Sequence, residues 1–143
     1  RPFFKVHPGI SSVQLAAALS GAPLMNDFCS ISLSDKLTPW SLIKKRIEGA
    51  IAGDFVIALF NPQSIERNWQ LKTVIDICLE SRHGDTPVLI ARQVGRENQS
   101  KKFFTLNTIP FKEIDMLSII IIGNSQTTLV DEIFLTPRGY LQN

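Results

Sequence analysis

The 143-residue chain, 44% hydrophobic and 20% charged, has the length and composition of one compact domain with its own apolar core. Disorder and coiled coil are excluded by that composition. Lys and Arg number 15 against 13 Asp and Glu, a net +2 without any block of like charge, so neither nucleic acid nor an anionic membrane is expected as the main partner.

No apolar run approaches the roughly 20 residues that a membrane span needs, and no basic-then-apolar leader opens the chain. Cys29 and Cys78 occur without a CxxC pair or a nearby His. They read as buried thiols in a cytoplasmic protein, with no disulfide and no metal site expected. The chain has no initiator Met, and Phe3-Phe4-Lys5-Val6 reads as the tail of a strand already under way. The expectation is a piece that starts mid-protein.

In chain order, the first strand end breaks at Pro8-Gly9. Ser11 is a good N-cap for a helix over Ser12–Ser20, with Gly21 at its C-cap and Pro23 beyond. The Val13, Ala16, Ala17 and Leu19 face of that helix is small and suits close packing on a sheet. Residues 27–33 alternate as a strand does. Thr38 and Pro39 supply an N-cap and an N1 proline for a helix bearing Leu42, Ile43, Ile47, Ala50 and Ile51, which Gly53 stops. Residues 54–60 are apolar throughout, as in a strand covered on both faces. A turn at residues 61–64 leads to a helix with Leu71, Val74, Ile75, Cys78 and Leu79 on one face, ending before His83.

Residues 87–94 form the next strand, followed by a polar loop at 95–101 and a shorter strand at 102–106. One helical turn is expected within 110–115. Residues 118–122 are a strand stopped by Gly123-Asn124, and 129–135 a last edge strand. This β-α-β-α-β-α-β-β-β order predicts a single α/β domain over residues 1–143. It has three αβα layers and a mixed sheet of five or six strands, since the last strands lack crossover helices. Residues 56–58 and 119–122 belong in its central strands.

Open α/β sheets bind ligands beyond the carboxyl ends of their strands. The segments to weigh are therefore residues 8–12, Ser34-Asp35, Asn61-Pro62, residues 93–96 and residues 124–127. No GxGxxG, GxxxxGK[ST] or GxSxG occurs, and His7 and His83 lack a spaced Ser or Cys partner. A complete dinucleotide site, a P-loop and a hydrolase triad are excluded. Ser11 as a plain N-cap, Asn61-Pro62 as a plain turn, and Trp40 and Trp69 as packing residues stand as the structural alternatives.

Several words carry more. Val6-His7-Pro8-Gly9-Ile10-Ser11-Ser12 followed by Gly21-Ala22-Pro23-Leu24 resembles the Pro-Gly-Ile-Ser and Gly-x-Pro-Leu segments of the tetrapyrrole methylases. Ile31-Ser32-Leu33-Ser34-Asp35, Leu37-Thr38-Pro39-Trp40, Ile57-Ala58-Leu59-Phe60-Asn61-Pro62 and Trp69-Gln70-Leu71 are similar to one branch of that family. So are Gly123-Asn124-Ser125-Gln126-Thr127 and Thr136-Pro137-Arg138-Gly139-Tyr140. That branch methylates carbon 17 of a precorrin-3B-type substrate, with ring contraction, in cobalamin synthesis.

The resemblance runs over essentially the whole chain but corresponds only to the C-terminal half of the family's two-domain, usually homodimeric enzyme. It implies S-adenosylmethionine as methyl donor, held between the domains, and a tetrapyrrole as substrate. Residue by residue, it places Ser11, Ser12, Phe60, Asn61, Val94, Met116, Leu117 and Ser118 against the donor. The substrate is rich in carboxylates, so Arg67, Arg96, Arg92 and Lys36 are candidate clamps beside the candidate loops, with Asp35 a further substrate-side residue. No acid or base for the reaction is assigned. The competing expectations are another methyltransferase of the family and a non-catalytic assembly domain.

Overall fold

In the computed structural model, which describes residues 2–139, regular structure begins at a capped helix. The Ser11 hydroxyl accepts from the Gln14 backbone N–H, and the Gln14 side chain accepts from the Ser11 N–H, closing a capping box at the start of α1, Ser12–Ser20. Gly21 ends it at φ 134°, a backbone shape closed to residues with a side chain, and begins the two-residue strand β1, Gly21–Ala22. Then follow β2 (Phe28–Ser32), α2 (Trp40–Ala52), β3 (Val56–Phe60), α3 (Gln70–Ser81), β4 (Pro87–Arg92) and β5 (Ser100–Thr105). Two 3-10 turns, Leu106–Thr108 and Phe111–Glu113, precede β6 (Ser118–Ile122), β7 (Thr128–Val130) and β8 (Ile133–Leu135).

The main sheet has five strands in the order β2-β3-β6-β4-β5. β2 and β3 run parallel, while β6 is antiparallel to both neighbours, with Ala58 opposite Ile121 and Ile90 opposite Ile120. The expected mixed sheet is therefore present, with residues 119–122 in its middle strand. One face carries Ile57, Leu59, Val88, Ile120 and Ile122 under α2 and α3. The other carries Val56, Ala58, Leu89, Ala91, Ile119 and Ile121 under Val13, Ala16 and Ala17 of α1. Alanines at 16, 17, 58 and 91 keep part of this helix–sheet layer thin, as the small face of α1 predicts.

Four expectations are corrected. Phe3, Phe4 and Val6 are exposed rather than strand residues, because no described strand lies beside them to take their backbone hydrogen bonds. The single edge strand at 129–135 is a hairpin: Asp131 and Glu132 both have positive φ (50° and 62°), the geometry of a two-residue turn, and β7 folds back on β8. β8 also pairs parallel with β1, giving a separate three-stranded sheet whose Phe134 is fully buried against the α1 side of the core. Finally, Pro39 rather than Thr38 is the N-cap of α2, without a side-chain bond, and Cys29 is half-buried where Cys78 is fully buried.

Two glycines separate backbone need from helix tolerance. A Cβ on Gly21 would stand 2.6 Å from the Phe134 carbonyl oxygen, whereas one on Gly49, inside α2, meets nothing within 4 Å. Gly21→Ala is expected to destabilise the fold by about 1–3 kcal/mol, and Gly49→Ala to stabilise it by about 0.5–1 kcal/mol. Urea unfolding of the two variants checks the opposite signs.

Candidate functional site

β3 and β4 are both antiparallel to β6, so their carboxyl ends and the amino end of β6 meet at one edge of the sheet. The carboxyl end of β2 joins them. Asn61, Val94 and Ser118, far apart in sequence, follow or begin these strands and share that edge. Ser11 reaches it less directly: a Cβ on Gly95, next to Val94, would stand 3.4 Å from Leu15 Cδ1, one helical turn along from Ser11. The hydroxyl of Ser11 is occupied by its capping bond, and Ser12 begins the helix proper. Phe60, half-buried at the last position of β3, packs against the α1-side core together with Val94.

The turns at this edge are held in unusual shapes. Asn61 and Gln93, just past β3 and β4, both adopt positive φ (47° and 52°), a region that non-glycine residues enter only when their surroundings fix them. Asn61 Nδ2 donates to Ser32 Oγ at 3.1 Å, tying the ends of β3 and β2. The Gln93 N–H donates to the Leu117 carbonyl at 3.1 Å, tying the end of β4 to the loop before β6. In that loop Ser118, buried, accepts from the Asp115 N–H and donates to Asp115 Oδ1, so its hydroxyl closes a turn. Gln63 Nε2 donates to the carbonyls of Phe111 (2.7 Å) and Ile114 (3.1 Å), fastening the β3–α3 loop to the same segment.

Between these loops lies an open cavity of about 560 Å³, whose wall includes Lys36, Ser64, Arg67, Asp115, Met116 and Leu117. Arg67 is 8% exposed, and its Nη2 donates to the Asn61 carbonyl at 2.6 Å and contacts Met116 Sδ at 3.5 Å. Burial pulls its guanidinium below the ordinary arginine value, with the Asp35 carboxylate acting the other way. Asp35 itself accepts from Gln70 Nε2 at 3.2 Å. Arg67 thus sits with the donor-side residues Asn61 and Met116 rather than apart from them. Arg96 lies in the exposed 93–99 turn beyond β4 and does not line this cavity. Trp40 and Trp69 pack edge to face at 5.0 Å near the start of α3, the structural alternative for both.

Two candidates leave the site. Residues 124–127 follow β6, whose reversed direction carries its carboxyl end to the opposite edge, so the strand-end rule misplaces them. There Asn124, Thr127 and Thr136 form a buried hydrogen-bonded cluster, Thr127 and Thr136 hydroxyls meeting at 2.8 Å, and the similarity word at 123–127 is structural. Arg138, from the word at 136–140, donates to the Met25 carbonyl, again away from the cavity; Tyr140 lies outside the described residues. Arg92 is likewise taken: its Nη2 and Nε bond Asp115 Oδ2 at 2.7 and 3.1 Å. Gln63 was missed, and Ser32 and Gln93 were named without a role, because only the fold brings their partners to them.

The Arg92 hydrogen bonds hold the Asp115 carboxyl below the usual carboxylate range. A lowered folded-state value means a stabilising contribution that is present above about pH 4 and lost as pH falls through the folded value. Asp115→Asn is therefore expected to flatten the acid limb of stability, measured by urea midpoints between about pH 5 and 2.5, while leaving the slope above about pH 5 unchanged. The pair is partly exposed, so the effect is modest.

The comparisons with known proteins come down on one family. The family model for tetrapyrrole (corrin/porphyrin) methylases matches residues 3–110. A probable cobalt-factor III C(17)-methyltransferase of Salmonella typhimurium is 45% identical over 133 residues, covering 93% of this chain and 55% of its own length. A precorrin-3B C(17)-methyltransferase of a Sinorhizobium species is 36% identical over 140 residues, 94% of this chain and 55% of the relative. The crystal structure of the methyltransferase CobJ superposes with a TM-score of 0.86 at 37% identity, over 91% of this chain and 54% of that one. The chain spans little more than half the length of these relatives. On the family match and these identities, the chain belongs to the tetrapyrrole methylases.

Proposed function

We propose that this chain supplies one wall of an interdomain site in which S-adenosylmethionine methylates carbon 17 of a precorrin-3B-type tetrapyrrole, free or cobalt-bound, with ring contraction. The observation that carries this reading is the edge where β3, β4 and β6 meet, its turns cross-tied by Ser32–Asn61, Gln93–Leu117 and Arg67–Asn61. The relatives' names carry the carbon-17 chemistry, and the similarity words point to the same branch.

The residues present suit such a ligand. The edge offers backbone groups, amides, the half-buried Phe60 and the exposed Met116 and Leu117, which fit an adenosine better than a row of acids would. S-adenosylmethionine, when bound, carries an electrophilic methyl group that transfers in line to the acceptor carbon. The chain's own part is to position and to keep dry. Asn61 and Gln93, fixed at positive φ, hold the strand-end turns in one shape, and Met116 and Leu117 present apolar surface over the cavity. Arg67 braces Asn61 against Met116 and sets a positive charge beside the cavity. Phe28, Val130 and Ile133 stand exposed, apolar surface of the kind that a second domain or the second subunit of a homodimer covers.

One wall alone gives part of the contacts and little exclusion of water. The 143-residue chain is expected to bind S-adenosylmethionine weakly and to show no turnover, and a form that also carries the half its relatives have in addition is expected to bind it tightly and turn over. Calorimetry with the donor and a methyl-transfer assay on both forms decide it. Tight donor binding or turnover by the short chain overturns the reading.

A further inference from the structure

Arg67 is a buried charged group without an ion pair among the described residues. It is 8% exposed, and its Nη1 is buried with no hydrogen-bond acceptor. Its Nη2 has one full-strength acceptor, the Asn61 carbonyl, and beside it the thioether of Met116 at 3.5 Å, a weak one. Of the carboxylates nearby, Asp115 is bonded to Arg92, Asp35 accepts from Gln70 and acts on Arg67 only from a distance, and Glu66, exposed on the same cavity wall, makes no ion pair with it. Burying a guanidinium in this state costs stability unless something else repays it.

Arg82 shows what an arginine of purely structural role looks like in the same molecule. It too is 8% exposed, but its Nη1 and Nη2 donate to the carbonyls of Gly123 (2.9 Å) and Phe55 (2.5 Å), leaving only Nε without a partner. Those carbonyls belong to the edge opposite the cavity. Arg67, by contrast, contributes to the cavity wall, together with Lys36, Glu66 and the Arg92-paired Asp115, and the side chain resting on it is a half-exposed methionine, unbranched and adaptable in shape.

Resting on the functional reading above, we propose that the cavity is a carboxylate subsite: Arg67 receives one carboxylate of the ligand, Lys36 adds a second positive charge, and Met116 occupies the acceptor position until that carboxylate displaces it. A guanidinium fork matches a carboxylate in shape, and the bond formed in a half-enclosed cavity is among the stronger kinds. The carboxylate has two sources, the amino-acid end of the methyl donor and the acid side chains of the tetrapyrrole.

The test uses the full-length gene product and two matched pairs of ligands. S-adenosylhomocysteine is paired with 5′-methylthioadenosine, which lacks the amino-acid carboxylate. An acidic porphyrin is paired with its fully amidated form. Calorimetric Kd values are measured for the wild type, Arg67→Gln and Arg67→Lys. The expected result is an acid ligand weakened about tenfold or more in Arg67→Gln, with its neutral counterpart changed by less than about twofold and Arg67→Lys between the two. The pair that responds names the source of the carboxylate. Equal weakening of acid and neutral members makes Arg67 a brace for Asn61 alone and overturns the subsite.

The wild type gives a second reading that needs no variant to fold. Acids bound no more tightly than their neutral partners in both pairs also overturn it. Failure of both nucleosides to bind counts against the donor site instead, and the porphyrin pair still decides the subsite.

Discussion

The antiparallel insertion of β6 between β3 and β4 is the constraint from which the rest of the domain follows. Its five residues, Ser118–Ile122, are all buried, four of them isoleucines that feed both faces of the sheet. A strand with β-branched side chains on both sides and hydrogen-bonded neighbours on both edges has one place to go, the middle of a covered sheet. Its direction then sorts the loops. The segment before it, with Asp115, Met116 and Leu117, arrives at the carboxyl ends of β3 and β4, while the segment after it is delivered to the other edge. Had β6 run parallel, the polar residues at 124–127 would face the cavity and Met116 would not.

From this arrangement two edges of different character arise. At one, the cavity edge, buried or strained polar groups are held by long-range cross-ties: Asn61 to Ser32, Gln93 to Leu117, Gln63 to the carbonyls at 111 and 114. At the other, Arg82, Asn124, Thr127 and Thr136 satisfy one another and the nearby carbonyls almost completely. Buried polar networks that are nearly fully paired lend rigidity, whereas a buried guanidinium with a single full-strength acceptor calls for an explanation. Arg67 is that guanidinium.

Much of the fold was legible in the residues because local and global preferences agree there. The capping box at Ser11 and Gln14, the small face of α1 and the unbroken apolar runs at 56–59 and 119–122 each point to one conformation, and each forms it. The hairpin at Asp131-Glu132 was hidden because its second residue is a glutamate where a glycine usually announces two positive φ angles in succession. The strand expected at 3–6 had a strand's composition and no neighbour. At the site, the positions of Asn61 and Val94 followed from strand ends, and that of Ser118 from the family resemblance alone. The burial of Arg67 and the reach of Gln63 depend on loops 50 residues apart in sequence, about which spacing says nothing. Residues 124–127 failed for a single reason: the rule for strand ends assumes a direction that β6 does not have.

The Arg82 tie has a bearing on motion. It joins the C-terminus of α3 to the backbone just before β3 and just after β6, and Ser125 is in turn bonded to Asp54 in the same corner. Opening that corner would leave a buried cation without its acceptors, so the helix end, the strand start and the loop leave it together or not at all. Backbone amides there are the kind that exchange with solvent only when the core itself opens.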